Sequence, residues 1–360
     1  MPTRGAPTNA LSTRFDDPAR TPDGDWRDHA DAHEDLPPLR TTVTVEHPRI
    51  IITRNRSPDI PFDRSLNAYR GCEHGCVYCF ARPTHAFHGL SPGLDFESRL
   101  FAKPGAAALL RAEFAKPAYT PAVLAMGTNT DPYQPIEARF RITRAVLALC
   151  RETHHPVSIT TKSARILDDL PVLASLAADR LAMVMLSITT LEPRLARAME
   201  PRASAPHRRL AALRALSAAG VPTCISISPV IPGLNDHELE SLVAAGAAAG
   251  ATAAVSIPIR LPHEVAPLFE AWLDIHQPNR KAKILNAIRA MRGGKLNDPR
   301  FTHRFRPDGE WARLHSARLA AARRRHGLLP RSWDLRTDLF VKPAADPRQP
   351  GLFDQFDPHR

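Results

Sequence analysis

Between residues 64 and 259 the chain alternates short apolar runs with Ala- and Leu-rich segments of helical length, a pattern open to few folds. The apolar runs fall at 121–127, 156–161, 181–188, 221–230 and 252–259, and 64–70 is read as the first strand, running into the loop that follows. The helical segments fall at 105–116, 137–152, 164–178, 206–219 and 236–249. A run of this length that is apolar throughout, bounded by Gly or Pro, reads as a strand covered on both faces. Strands of that kind form a parallel sheet whose outer face carries the intervening helices. The expected class is therefore α/β, a partial TIM-like (β/α)6 barrel with its reactive groups at the C-terminal strand ends. The barrel is expected over residues 64–262. A belt or strand at 41–63 precedes it, and a basic helical extension at 263–342 and a flexible tail at 343–360 follow.

Directly after the first strand, three of the five cysteines fall within eight residues, as Cys72-Glu73-His74-Gly75-Cys76-Val77-Tyr78-Cys79. One short loop can wrap three thiolates around a single centre. An iron–sulfur cube is usually held by four cysteines; three leave one iron open to a small molecule and turn an electron carrier into a catalyst. A structural zinc site is the competing reading, with His74, His85 or His88 as a fourth ligand. Against it, the chain has no second Cys-x-x-Cys pair. A disulfide framework does not suit so long and cysteine-poor a chain. Cys150 and Cys224 fall inside a helical segment and a strand and read as buried apolar side chains.

The Cys72, Cys76, Cys79 loop, with the aromatic Tyr78 before its last cysteine, resembles the signature of the radical S-adenosylmethionine (radical SAM) enzymes. That resemblance implies a [4Fe–4S] cluster on the three cysteines and SAM chelating the fourth iron. An electron from an external donor of flavodoxin or ferredoxin type would then split SAM to a 5′-deoxyadenosyl radical. It also implies a SAM site on the other strand ends: Gly127 for the amino group, Lys162 for a carboxylate, and Ser187 with Thr189 and Thr190 for ribose or carboxylate. Ile231 would lie on the adenine face. Within the superfamily the chain is similar to the spore photoproduct lyase-like group, also called DNA repair photolyases. The likeness runs from about residue 65 to 260, through the cysteine loop, Thr130-Asp131-Pro132, Thr161-Lys162 and Leu186-Ser187. It makes Lys162, Ser187 and Asn129 SAM contacts. Two departures stand out: Thr128 replaces the lyase's hydrogen-donating cysteine, and Phe80 replaces the tyrosine after its third cluster cysteine. Radical initiation is expected to be intact, whereas the lyase's hydrogen-return route is missing both members. Tyr78 and Tyr133 are the candidate catalytic side chains, and no other catalytic residue is assigned. The chain also resembles an uncharacterised bacterial subgroup with the same Gly-Cys-Glu-His-Gly-Cys loop.

The net charge is +11, and residues 280–342 alone carry 17 Lys or Arg against 5 Asp or Glu. That surplus reads either as a solvated basic surface or as one that faces nucleic-acid phosphates. Residues 1–40, rich in Pro, Asp, Arg and Thr, read as a disordered leader without the apolar core of a secretory signal. No stretch reaches the roughly eighteen apolar residues of a membrane span, so a cytoplasmic protein is expected. Near the end, Gln349, Leu352 and Phe353 resemble the short tail by which repair proteins dock on a DNA sliding clamp.

Overall fold

The structure, a computed structural model, describes residues 4–15, 39–330 and 334–343. Its strands are β1 (Thr42–Val45), β2 (Ile52–Arg54), β3 (Arg64–Leu66), β4 (Tyr69–Arg70) and β5 (Arg99–Ala102), then β6 (Leu124–Met126), β7 (Val157–Thr161), β8 (Ala182–Ser187), β9 (Thr223–Val230) and β10 (Ala253–Pro258). Seven of them form one sheet in the order β10-β9-β8-β7-β6-β3-β2. The six from β3 to β10 are mutually parallel and lie in sequence order, as the apolar runs predict. This is the partial (β/α)6 architecture, with β2 added antiparallel at one edge. At the other edge, Leu329 bridges to β10, exchanging backbone bonds with Thr252 and Ala254.

The two faces of the sheet differ. Leu124, Val157, Ile159, Val184, Leu186 and Ile225 join the main core with helix residues such as Leu147, Leu173, Leu213 and Leu242. Side chains alternate along a strand, so Ala125, Ser158, Met183, Met185, Cys224 and Ser226 take the opposite face. Met185, Cys224 and Ala253 form a separate buried cluster there. Cys150 is fully buried in the main core, so both non-loop cysteines are interior as expected.

Several boundaries depart from the sequence reading. The first run splits, with β3 in the main sheet and β4 in a small sheet of order β1-β5-β4. The belt divides the same way, with β1 in the small sheet and β2 in the large one. Segment 137–152 breaks into Glu137–Phe140 and Ile142–Glu152 where Arg141 takes a left-handed conformation. Segment 164–178 opens as a 3-10 turn, and its α-helix begins only at Leu170, with Pro at its start. After the barrel come helices Val265–His276, Lys281–Ala290 and Glu310–His326. The last lies along helix Leu239–Ala248 and β10, and Arg318 pairs with Glu240. Within the expected disordered leader Arg4 and Ala6 are each 6% exposed and Gly5 lies against Gly75 of the cysteine loop, whereas residues 8–11 are exposed. The rest of the leader from 16 to 38, and the tail residues Gln349, Leu352 and Phe353, lie outside the described residues.

Candidate functional site at the strand ends

The loop that follows β4 carries Cys72 and Cys76, both buried, and Cys79, partly exposed. Cys72 packs with Ala81 and Phe96, Cys76 with Val77 and Tyr78, and Cys79 borders both groups. Burial, with the charges of Asp131 and Cys76, pushes the Cys72 thiol well above the ordinary range. Burial pushes Cys76 up to about 12, although the Lys162 ammonium pulls the other way. Cys76 and Cys79 as anions both raise Cys72, and Cys79 raises Cys76, so the three sulfurs suit a cationic centre binding all of them, the donor set of an iron–sulfur cluster. Among the described residues, no three His, Cys, Asp or Glu side chains converge as a ready site for a single metal ion. His85 instead bonds to the Arg99 carbonyl at 2.8 Å and packs on Phe96, and His88 packs on Phe101.

Two polar networks tie this loop to neighbouring strand ends. In the first, His74 Nδ1 lies 3.3 Å from Asp131, which follows β6. Asp131 also accepts from the Thr161 hydroxyl at 2.6 Å and the Lys162 N–H at 2.7 Å, after β7. Burial raises the Asp131 pKa, but His74, Thr161 and Lys162 outweigh it and bring the carboxyl down to about 2. Asn67, after β3, gathers the same region: its side-chain oxygen accepts from the Asn129 and Thr130 N–H groups at 3.0 and 3.3 Å, and its amide donates to Thr128 at 3.2 Å. Gly127 has φ of 84°, and a Cβ there would lie 2.0 Å from the Thr160 carbonyl oxygen. Only glycine lets β6 and β7 close to this separation at their ends.

In the second network, the Tyr78 hydroxyl donates to Glu200, which also accepts from Thr189 at 2.8 Å and from Arg209. Arg209 donates further to the Ser187 carbonyl at 2.8 Å and to Ser204 at 2.6 Å. Glu200 and Arg209 are an ion pair with side chains 0% and 1% exposed. Burial would raise the Glu200 carboxyl, but the Arg209 and Lys162 cations hold it below the ordinary value. The Lys162 ammonium itself sits 5.8 Å above the Tyr78 ring. Thus Cys76, Tyr78, Lys162, Ser187 and Thr189 belong to one neighbourhood.

Ile231 is buried at the end of β9, and its N–H donates to Asn235 at 2.7 Å. Asn235 reaches back to the Thr189 carbonyl at 2.7 Å, so the two strand ends are fastened together. Asp236 accepts from the Gly233 N–H at 2.9 Å and from the Trp311 indole at 3.0 Å. Tyr133 lies elsewhere: its hydroxyl donates to Asp169 at 3.1 Å and it lines a polar cavity of about 340 Å³ with Glu137, Arg144 and Arg165. None of the cysteines lines that cavity. Sequence reasoning missed Asn67, Glu200 and Arg209. Glu200 follows helix Pro193–Met199 and Arg209 lies near the start of helix Pro206–Ala218, places where a charged residue ordinarily faces solvent, so no local signal marked them.

Phe80, the residue after Cys79, is 47% exposed. The Arg260 guanidinium, beyond β10, lies 4.6 Å from its ring centroid and 5.2 Å from that of Phe305. Arg304 covers Phe301 and Phe305 and donates to Asp59 at 2.7 Å, in the loop after β2. β10 and β2 are the two edges of the sheet, so this arginine–phenylalanine cluster spans the open side of the barrel beside Cys79. Part of the basic surplus is consumed structurally. Arg292 caps the Ile259 carbonyl, Arg323 donates to Ala254, and Lys281, Arg300 and Arg336 pair with aspartates. Lys283, Lys295, Arg306, Arg313, Arg324 and Arg325 are exposed and make no ion pair among the described residues.

The sequence profile of the radical SAM superfamily matches residues 66–245. The chain belongs to the radical SAM superfamily. Members of this superfamily use a [4Fe–4S] cluster and SAM. An uncharacterised protein of Mycobacterium tuberculosis is 37% identical over 216 residues, 59% of this chain and 64% of that protein. One from Methanocaldococcus jannaschii is 29% identical over 173 residues, 48% of this chain and 62% of its own length. The chain thus spans under two thirds of the curated relatives it matches. Among solved structures, a variant of spore photoproduct lyase aligns over 79% of this chain and 80% of its own, at a TM-score of 0.57 and 15% identity. That likeness is one of fold. Within the described residues, no helix is long and apolar enough to cross a membrane.

Proposed function

We propose that this protein is a radical SAM enzyme that acts on nucleic acid. In this reading Cys72, Cys76 and Cys79 hold the cluster, and SAM lies across Gly127, Thr128, Asn129, Lys162, Ser187 and Ile231. The observation that carries it is that Cys76, on a loop with Cys72 and Cys79, adjoins the Lys162 ammonium and the Tyr78–Glu200–Arg209 network at the ends of six sequential parallel strands. When bound and reduced by an external flavodoxin- or ferredoxin-like donor, the cluster supplies the electron that cleaves SAM to a 5′-deoxyadenosyl radical. The chain's own residues do the rest. Lys162 offers a cation to a carboxylate. Glu200 and Arg209 fix Tyr78 beside Cys76 and the Ser187 carbonyl beside it. The apolar packing around Cys72 and Cys76 keeps water from the reactive centre.

For the substrate, the exposed Phe80 and Phe301 interleaved with Arg260 and Arg304 beside Cys79 support nucleic acid. Aromatic rings stack on unpaired bases and arginines meet phosphates. The exposed Lys295 and Arg306 belong to the same segment as Phe301 and Arg304. Thr128, whose hydroxyl is bonded to Asn67, is a poor hydrogen-atom donor, so the reaction ends differently from the lyase's. Docking of Gln349, Leu352 and Phe353 on a sliding clamp would bring the enzyme to DNA. The test is anaerobic turnover with deuterated oligonucleotides. Deuterium appearing in 5′-deoxyadenosine supports the reading. Its absence with every nucleic acid, together with transfer from a peptide or small molecule, overturns the substrate class.

A further inference from the structure

The amino-terminal residues make contacts that neither the fold nor the SAM site requires. The Gly5 N–H donates to Glu97 Oε2 at 2.8 Å, and the Ala6 N–H to Glu97 Oε1 at 2.7 Å. Arg4 donates to the Glu97 carbonyl at 2.6 Å and to the Leu39 carbonyl at 2.7 Å. A Cβ on Gly5 would lie 1.6 Å from the Gly75 carbonyl oxygen, inside the cysteine loop. Only glycine fits at this contact. Farther along, Ser91 donates to the Ala10 carbonyl at 2.6 Å, and Arg14 donates to Glu264 at 2.6 Å and to the Pro83 carbonyl at 2.8 Å. Residues 4–15 therefore form a strap fastened at both ends.

Glu97 connects the strap to the cysteines. Its carboxylate is fully buried and ion-paired with Arg82, itself fully buried. Arg82 in turn donates to the Cys76 carbonyl at 2.8 Å and the Gly75 carbonyl at 3.1 Å. It also holds the Pro92 and Gly93 carbonyls at 3.0 and 2.9 Å. The chain of contacts runs from two strap N–H groups to Glu97, from Glu97 to Arg82, and from Arg82 to the loop backbone between the cysteines. A buried carboxylate needs its acceptor sites filled. Without the strap it loses two of the donors that orient it.

We propose that Arg4, Gly5 and Ala6 are positioning residues for the cluster: through Glu97 and Arg82 they fix the Gly75–Cys76 backbone in the shape that three ligating thiolates require. The proposal rests on the reading that Cys72, Cys76 and Cys79 hold a cluster. Groups hydrogen-bonded to metal ligands change metal affinity or activity by about 10-fold to 100-fold when removed, and the strap acts on the Gly75–Cys76 backbone through Glu97 and Arg82.

The test uses the full chain, reconstituted anaerobically, with Gly5→Val to push the strap off Gly75 and Ala6→Pro to delete one donor to Glu97. Hydrogen exchange over residues 4–15 reports whether the strap has left. The expected result is iron loss to a chelator about 10-fold faster than wild type for Gly5→Val, with a smaller effect for Ala6→Pro. The reduced cluster's electron paramagnetic resonance signal, and its change on adding SAM, should broaden in both. The apo-protein's thermal midpoint should stay near wild type. Wild-type iron retention and spectra in a variant whose strap exchanges freely would overturn the proposal. So would faster iron loss matched by an equally weakened apo-protein, since that is ordinary packing. Should the wild-type chain take up no iron at all, the cluster reading fails, and that outcome is distinct from failure of the strap.

Discussion

Replacing Arg209 by Leu is the most informative single perturbation of the polar framework. Arg209 and Glu200 are buried together, and Glu200 also holds the Tyr78 and Thr189 hydroxyls. Removing the guanidinium strands a carboxylate in the interior, which costs about 3–5 kcal/mol in comparable buried pairs. For a chain of 360 residues, an unfolding entropy near 2.1 cal/mol/K per residue turns that into a fall of roughly 4–7 °C in Tm. The sign of the pH dependence follows. In the wild type the Glu200 carboxyl is held below its ordinary value, so its contribution is present above that value and lost as pH falls. In Arg209→Leu the largest opposing cation is gone and burial dominates, so the folded-state pKa rises above the unfolded one. The variant's penalty then grows as pH rises above the ordinary carboxylate range, where the folded state must give up a proton it prefers to keep. Anaerobic thermal denaturation followed by far-UV circular dichroism measures both effects. Adding Glu200→Gln to Arg209→Leu should recover a large part of the loss, because the stranded charge is removed. A Tm change under about 1 °C, or a double variant no better than the single one, would refute the view that this pair organises the site.

Three further outcomes follow from named contacts. Gly127→Val places a side chain against the Thr160 carbonyl at positive φ; a displacement worth about 1.4 kcal/mol weakens SAM binding roughly tenfold, and unchanged affinity by calorimetry would count against Gly127. The Arg304 hydrogen bond brings the Asp59 pKa from 3.8 down to about 2, so stability from this contact is present above about pH 4 and lost as pH falls toward about 2. Arg304→Ala should flatten the stability profile over that window, and an unchanged profile would dismiss the contact. Arg306→Ala and Lys295→Ala should each lower the slope of log affinity against log salt by about 1 for single-stranded DNA; slopes equal to wild type would make the basic surface incidental.

The parallel sheet was legible because each central strand is apolar on both faces and bounded by Gly or Pro, as with Ala182–Ser187, all six residues of which are buried. The cysteine loop was legible because its chemistry is local. What pairs distant segments was not. The small sheet joins Thr42–Val45 to Arg99–Ala102, two four-residue strands too short to announce themselves. Nothing in the sequence marked the Glu97 and Glu200 carboxylates, because burial is set by what folds over them and not by their neighbours in sequence. The strap was hidden by composition: Arg4-Gly5-Ala6-Pro7 has no large apolar side chain, yet its backbone N–H groups find a buried carboxylate ninety or so residues away.

The central claim is tested most directly by 5′-deoxyadenosine formation. Anaerobically reconstituted protein, reduced with dithionite in the presence of SAM, should show iron–sulfur absorbance and release 5′-deoxyadenosine. Cys76→Ala should lose both, while its far-UV circular dichroism stays that of a folded α/β chain. A wild-type protein that carries the cluster and binds SAM yet forms no 5′-deoxyadenosine, or a Cys76→Ala variant that keeps full cluster content, would contradict the account.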